Sequence, residues 1–260
     1  MKKSSVPFVG LHAHSGVGSP FDGLGYPAEH MEFAFANGND SLALTDHGNM
    51  NGLAYQVQHA QEMHKQGKNL KPIFGVEAYF LPSLSKWREE LERARQDKKA
   101  KRQIDTSKSG TNIEDESTKS ISKNILSRRR HLILLALVSK SFETENFYRF
   151  PRMDYKMLAK HSEGVIATSA CLGGVYAGNY WENREKGPDA VVDAMRKSTE
   201  KMISIFGDRW YGELQWNNIP EQHELNKYII QISKEYGIEL VSTADSHYPT
   251  KDSWKDRELY

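Results

Sequence analysis

Cysteine is almost absent: Cys171 is the one thiol in 260 residues, so no disulfide can form within the chain. No run of about 18 apolar residues occurs, and nothing therefore reads as a membrane span. The opening Met-Lys-Lys-Ser-Ser-Val-Pro lacks the apolar centre of a signal peptide. Together these absences predict a protein of a reducing cytoplasm. An excess of either charge is missing too: 35 Lys and Arg stand against 34 Asp and Glu, a formal net charge of +1. That balance excludes a global basic field for nucleic acid, although it can conceal a local patch. Hydrophobic residues at 38% and charged residues at 27% suit a polar globular protein, and no internal repeat is evident. The length suits one α/β barrel or two small domains.

What is present is a rhythm. Seven short runs have strand character: residues 8–11, 41–45, 72–80, 131–138, 164–170, 210–215 and 239–243. Several are continuously apolar, as strands buried on both faces of a parallel sheet should be. Helical patterns fall between them at residues 27–37, 51–65, 141–149, 154–161, 189–206 and 221–236, the last two closing on Gly207 and Gly237. Alternation of this kind predicts a parallel sheet. Seven units suggest a closed barrel, with an open doubly wound sheet as the alternative. Residues 83–130 interrupt the pattern. They begin as a charged helix over 84–102 and then turn to Ser, Thr, Asn, Asp and Lys, which predicts an insertion, part helix and part mobile loop. The basic Arg128-Arg129-Arg130 at its end could meet phosphates, or simply be solvated. Residues 249–260 read as a helix opening without a closing cap, from which a continuation of the native protein is expected.

The chemistry collects at strand ends. The first run ends in His12-Ala13-His14, whose i, i+2 spacing puts two imidazoles on one face of a strand. The second ends in Thr45-Asp46-His47-Gly48, the third contains Glu77, the fifth leads into Cys171 and the seventh ends in Asp245-Ser246-His247. His131 opens the fourth run, and Asp22 lies on the loop after the first. Parallel barrels assemble their sites from C-terminal strand ends and the loops beyond them. One pocket can thus hold His12, His14, Asp22, His47, Glu77, His131, Cys171, Asp245 and His247, a set suited to several transition-metal ions. Each residue also has an ordinary reading. Asp22 before Gly23 is a common turn carboxylate. Asp46 or His47 could cap the next helix. Cys171 taken singly suits a small buried position. Glu77 is harder to dismiss, because an unpaired carboxylate in an apolar run is costly to bury. His30, His59, His64, His161 and His223 fall in helical stretches and read as surface or packing residues.

These residues resemble a known family. Leu11-His12-Ala13-His14-Ser15, Phe21-Asp22-Gly23, Thr45-Asp46-His47-Gly48-Asn49-Met50, Gly75-Val76-Glu77, Arg130-His131-Leu132, Pro151-Arg152-Met153-Asp154, Ser169-Ala170-Cys171, Glu213-Leu214-Gln215 and Ala244-Asp245-Ser246-His247 match in order and spacing. The pattern is similar to the polymerase-and-histidinol-phosphatase (PHP) domain of C-family bacterial DNA polymerases, the DNA polymerase III α subunits. The Thr-Asp-His-Gly and Glu-Leu-Gln pieces favour the polymerase branch over free-standing phosphatases.

The resemblance implies a single PHP domain over 1–260 with a distorted seven-stranded (β/α)7 TIM-like barrel. It implies three divalent metal ions, and the Cys171 thiolate and the imidazoles suit Zn, Mn or Fe better than Mg. One would be held by His12, His14, Glu77 and Asp245. Glu77, His131 and Cys171 would hold a second, and Asp22, His47 and His247 a third. It further implies a phosphodiesterase acting on a DNA 3′ end, a 3′–5′ proofreading exonuclease, with Asp245, Glu77 and His12 at its catalytic centre. Arg152 and Arg130 are expected at phosphates. The polymerase palm, thumb and fingers would be partners in the same chain or a separate one. The alternatives are a metal-stabilised structural domain without turnover and a small-molecule phosphomonoesterase. The long charged stretch at 83–130 suggests a divergent, phage-encoded source and hence a host cytoplasm.

Overall fold

The computed structural model describes residues 8–104, 119–125 and 128–257, with side chains for 8–96 and 132–257. In chain order its elements are α1 Pro27–Ala36, β1 Ser41–Leu44, α2 Leu53–Lys65, β2 Lys71–Phe80, α3 Leu84–Ile104, β3 Lys119–Ile125 and α4 Arg128–Ser141. There follow β4 Phe147–Tyr148, β5 Phe150–Met153, α5 Tyr155–Lys160, β6 Val165–Thr168, α6 Val175–Asn183, α7 Pro188–Phe206, β7 Trp210–Gln215, α8 Pro220–Tyr236, β8 Leu240–Thr243 and α9 Trp254–Arg257. Local chemistry accounts for several boundaries. Proline stands in the first turn of α1, α7 and α8, where its missing N–H is no loss. Asp154 caps α5 by accepting from Met157 N. Gly237 closes α8 at φ +66° and ψ +30°, a left-handed conformation that costs other residues more.

The fold is α/β with a mixed sheet. Its order is β4-β5-β2-β3-β6-β7-β8, with β1 also on β2. The pairs β1–β2, β2–β5, β6–β7 and β7–β8 are parallel. Strand β3 runs antiparallel to both β2 and β6. The first expected strand is reduced to isolated parallel bridges, Gly10 to Leu42 and Ala13 to Ser246. β1 is buried along its whole length, as an apolar run covered on both faces should be.

Two expectations are corrected. Residues 131–138 were expected to be a strand and belong instead to helix α4. Leu134, Leu137, Val138 and Ser141 are buried, while Leu132 is 67% exposed and Ala136 faces outward. That is the 3.6-residue period of a helix. An unbroken run such as Leu-Ile-Leu-Leu-Ala-Leu-Val carries no period of its own, so its partners decide. The place between β2 and β6 is taken by β3, which lies within the stretch read as an insertion. Residues 105–118, expected as a mobile loop, fall outside the described residues. The second correction is the expected helix at 141–149. There the chain turns, with Asn146 Nδ2 donating to Lys140 O at 2.8 Å, and enters β4. Helix α6 was not foreseen. Its residues from Val175 through Tyr180 are all buried, which erases the amphipathic pattern that marks a surface helix.

The main core joins β2, β6 and β7 to α4, α6, α7 and α8 through residues such as Val76, Leu134, Val165, Met195 and Ile229. Three polar side chains inside it are linked: Trp210 Nε1 donates to Tyr176 Oη at 3.1 Å, and Tyr176 Oη lies 2.7 Å from Thr199 Oγ1. A smaller cluster of Ala13, Met31, Leu42, Leu44, Met63 and Leu70 sits under α1 and α2.

The helical assignment of α4 is testable. Leu134→Ala and Leu137→Ala should each cost about 2–5 kcal/mol in urea unfolding. Ala136→Asp should change stability by no more than about 0.5 kcal/mol, as an exposed substitution does. A strand would place residue 136 on the face of Leu134, and a severe loss from Ala136→Asp would favour it.

Candidate metal centre

Five segments converge at one end of the sheet. The bridges Gly10–Leu42 and Ala13–Ser246 hold the first segment between β1 and the loop after β8, so that His12 and His14 stand beside Asp245. The bridge His47–Glu77 extends the β1–β2 pairing into the site. Cys171 comes from the loop after β6. Two backbones here adopt left-handed φ without being glycine: Ala170 at +60° and Asp245 at +50°. Each such conformation costs about 1–3 kcal/mol and persists where its surroundings enforce it. In the loop after β1, Gly48 has φ +68°, and a Cβ there would stand 2.9 Å from the Tyr79 ring and 2.8 Å from Pro151.

The geometry has two centres. At the first, His12 Nε2 is 3.1 Å from His14 Nε2, and Asp245 Oδ1 is 3.2 Å from the one and 3.1 Å from the other. Glu77 borders this triangle, with Oε2 3.5 Å from His14 Nε2 and Oε1 3.9 Å from His12 Nε2. At the second, His47 Nε2 is 2.8 Å from Asp22 Oδ2, and His247 Nε2 is 3.4 Å from the same oxygen. His14 is stacked between His47 and His247, at ring-centroid distances of 4.2 and 4.5 Å. Glu77 links the two centres through His47 Nδ1, 2.6 Å from Oε2. Its Oε1 accepts from Cys171 Sγ at 3.3 Å.

An outer layer orients these groups. Glu213 is buried, and its Oε1 lies 2.6 Å from His12 Nδ1. It also accepts from Thr168 Oγ1 at 2.5 Å, Thr243 Oγ1 at 2.6 Å and Gln215 Nε2 at 3.1 Å. A proton kept on His12 Nδ1 leaves the Nε2 lone pair facing the cleft. Ser19 Oγ does the same for His14, 3.2 Å from its Nδ1, while donating to Asp46 Oδ1 at 3.0 Å. Asp46 also accepts from Ser15 N at 2.7 Å and Ser15 Oγ at 3.0 Å. Asp46 and His47 do not cap α2, whose N-cap is Gly52. Glu213, Asp46 and Ser19 were missed as functional residues in the sequence. For Glu213 the signal was there: like Glu77, it is a carboxylate inside an apolar strand.

Charge balance in the cleft is tight. Burial works against charge on Glu77, but the His12 and His47 imidazoles hold its carboxyl well below the usual range. Burial likewise disfavours the charged form of His12, yet the Glu213 and Asp245 carboxylates raise it well above an ordinary histidine. His14 is pushed down to about 4, first by burial. His47 overcomes its burial through Asp22 and Glu77 and is raised to about 10. The Cys171 thiol is pushed well up by burial and by the Glu77 and Asp245 charges. The carboxylates of the cleft thus depend on cationic neighbours, a demand that bound metal ions would also meet.

The donor set fits a metal. Oxygen and nitrogen ligands about 2.1 Å from one ion stand roughly 3.0–3.4 Å apart. The His12–His14–Asp245 triangle has those edges, and both it and His14–His47–His247 group within metal-ligating reach. Asp22 Oδ1 is buried and accepts no hydrogen bond, as a metal-ligand atom would be. Of the expected residues, His12, His14, Asp22, His47, Glu77, Cys171, Asp245 and His247 come together. His131 lies in the first turn of α4, and its side chain falls outside the described residues, as does that of Arg130. Arg152, expected at phosphates, is 1% exposed. Its Nη1 donates to Tyr148 O and Phe150 O, so the guanidinium is a structural clamp out of reach of a ligand phosphate. His30 is buried and packs as expected, its Nε2 2.8 Å from Leu24 O.

Fold and site thus define an α/β protein with a buried polyhistidine–carboxylate cleft. The PHP domain family matches residues 10–217, and the chain belongs to that family. Among curated relatives, the DNA polymerase III subunit alpha of Aquifex aeolicus is 34% identical over 94% of this chain. That of Borreliella burgdorferi is 32% identical over 94% of it. The chain spans 18% of the length of each of these relatives. Among solved structures, an amidohydrolase from Chromobacterium violaceum aligns at 15% identity and a TM-score of 0.49, covering 96% of either chain. No helix among the described residues is long and apolar enough to cross a membrane.

The orienting role of Glu213 predicts a measurable loss. Glu213→Gln should weaken metal binding in a chelator-competition titration by about 10–100-fold, as loss of such a partner commonly does. Unchanged affinity would show that His12 needs no such support.

Proposed function

We propose that this chain is the PHP domain of a C-family replicative polymerase and that its cleft hydrolyses the 3′-terminal phosphodiester of DNA. The observation that carries this reading is the triangle of His12 Nε2, His14 Nε2 and Asp245 Oδ1, joined through Glu77 to His47. His12, His14, Glu77 and Asp245 would hold one divalent ion. Glu77, His131 and Cys171 would hold a second, and Asp22, His47 and His247 a third. Bound there, the ions would supply Lewis-acid polarisation of a phosphate and a water of lowered pKa. Imidazoles and a thiolate suit Zn²⁺, Mn²⁺ or Fe²⁺ better than Mg²⁺.

The chain's own residues set the stage for that chemistry. Glu77 faces Cys171 with one oxygen and His47 with the other, so it is the group that the centres would share. Glu213 keeps the proton of His12 on Nδ1, and Asp245 presents Oδ1 to both His12 and His14. No protein nucleophile is required, and none is placed in the cleft by this reading: the Cys171 thiol is held against Glu77.

We read the architecture as a distorted β/α barrel of seven staves: the 10–13 segment, β1, β2, β3, β6, β7 and β8. The Gly10–Leu42 and Ala13–Ser246 bridges support that closure. In this reading residues 1–260 form one domain, with 83–130 as a charged excursion that lends it β3. Relatives more than five times longer support a polymerase palm, thumb and fingers as partners, in the same chain or a separate one, and a DNA 3′ end as substrate. The setting would be the cytoplasm, or a host's if the source is a phage.

The test uses the purified chain with single-stranded DNA and with a mismatched primer–template, under Mn²⁺, Zn²⁺ and Mg²⁺, beside Asp245→Ala. Metal-dependent loss of 3′ nucleotides in the wild type only is the expected result. Bound metal without cleavage would make the domain structural, and turnover of p-nitrophenyl phosphate alone would make it a phosphomonoesterase.

A further inference from the structure

The β4–β5 hairpin carries features that the metal centre does not use. Its strands pair Phe147 with Pro151 and Tyr148 with Phe150, which leaves Arg149 alone at the tip. Arg149 has φ +61°, a left-handed conformation rare outside glycine. The turn is held from beneath. Arg152 donates Nη1 to the carbonyls on either side of the tip, Tyr148 O and Phe150 O, and its guanidinium stacks 4.6 Å from the Trp87 ring. Asn146 O accepts from Arg152 N at 3.1 Å. A buried arginine thus fixes a strained turn whose own residues face outward.

Those residues are aromatic and cationic. Phe147 is 42% exposed and Phe150 37% exposed, and Arg149 is exposed between them. Arg149 and Arg95 both stand over the Tyr148 ring, at 5.7 and 5.6 Å. The platform is continuous with the cleft. Phe150 packs on Tyr79 at 4.7 Å between ring centroids, and Tyr79 lies 6.5 Å from the His47 ring. Tyr79 and Glu77 sit two residues apart on β2 and so share a face. Aromatic faces alternating with guanidinium groups match a single strand of nucleic acid, whose bases stack and whose phosphates are anionic.

We propose that this hairpin is a stacking platform for single-stranded DNA, seating the nucleotides just upstream of the 3′ end that enters the metal cleft. Phe150 and Tyr79 receive a base, and Arg149 and Arg95 meet the backbone. The inference rests on the nuclease reading of the cleft and adds the surface that delivers the strand.

The test is fluorescence anisotropy of a labelled oligo(dT) with the 260-residue chain, with chelator present so that no cleavage intervenes. Phe150→Ala should weaken binding by roughly 5–100-fold, the scale of losing one base stack. Phe150→Leu keeps an apolar contact with Tyr79 but offers no flat face, and it should bind as poorly as the alanine variant. Phe150→Tyr should bind like the wild type. Arg149→Ala should lower the slope of log affinity against log salt by about 0.7, one phosphate contact on a single strand. All four variants binding within about twofold of the wild type, with unchanged salt slope, would overturn the platform. A wild type that cleaves DNA while these variants bind normally refutes the hairpin alone. One that binds through the hairpin but never cleaves refutes the nuclease reading alone.

Discussion

The buried carboxylate of Glu77 is the constraint on which the site depends. It is 3% exposed, inside the buried stretch Ile73 to Ala78 of β2, whose other side chains are apolar. Breaking a buried ion pair by removing one partner costs about 3–5 kcal/mol, so Glu77 tolerates burial only while cations surround it. His12 and His47 do so from two directions, while the neutral ring of His14 lies 3.5 Å from Oε2. Each of them needs its other nitrogen satisfied as well, which draws in Glu213 for His12, Ser19 for His14 and Asp22 for His47. One buried charge thereby organises contributions from β2, β7, the bridged first segment and the loops that carry Ser19, Asp22 and His47.

This accounts for where the chain accepts local cost. Asp245 and Ala170 hold left-handed backbones, and both flank the cleft. Asp245 needs that turn for Oδ1 to lie between His12 and His14, while its carbonyl stands 2.9 Å from His247 Nδ1. Gly18 shows the same pressure from behind: a Cβ there would come within 2.5 Å of the Asp46 carboxylate. The Asp46 network stabilises the loop that carries Ser19, and through it the ring of His14. Packing and electrostatics agree at these positions, and the energy lost in the backbone is offset by the fixed placement of ligand atoms.

Much of this was legible because the spacing of the ligands is a strand property. Two residues apart means one face, so His12 with His14 and Asp245 with His247 declared themselves. The strands at 41–44, 71–80, 210–215 and 240–243 and the helices closed by proline and glycine were legible for similarly local reasons. What failed was the continuous apolar run. Residues 131–138 carry no period, and only the contact of Leu134, Leu137 and Val138 with the core makes them helical. β3 failed in the opposite sense: Lys-Ser-Ile-Ser-Lys-Asn-Ile has too few apolar residues to announce a strand, and its pairing with β2 and β6 does the work. Arg152 was expected at a phosphate because a guanidinium can position one. Its burial against Trp87 is a tertiary fact that no spacing encodes.

Strand β2 joins these parts. Its first half pairs with β1, its far end takes β5, and Glu77 lies between. Anything that shifts the β5 hairpin must therefore act on Tyr79, and anything that shifts Tyr79 meets Gly48, one residue from His47. The glycine is what permits that closeness, since a side chain at position 48 would separate the Tyr79 ring and Pro151 from the ligand loop. The hairpin and the ligand cluster are thus parts of one packed unit, joined through β2, Tyr79 and Gly48.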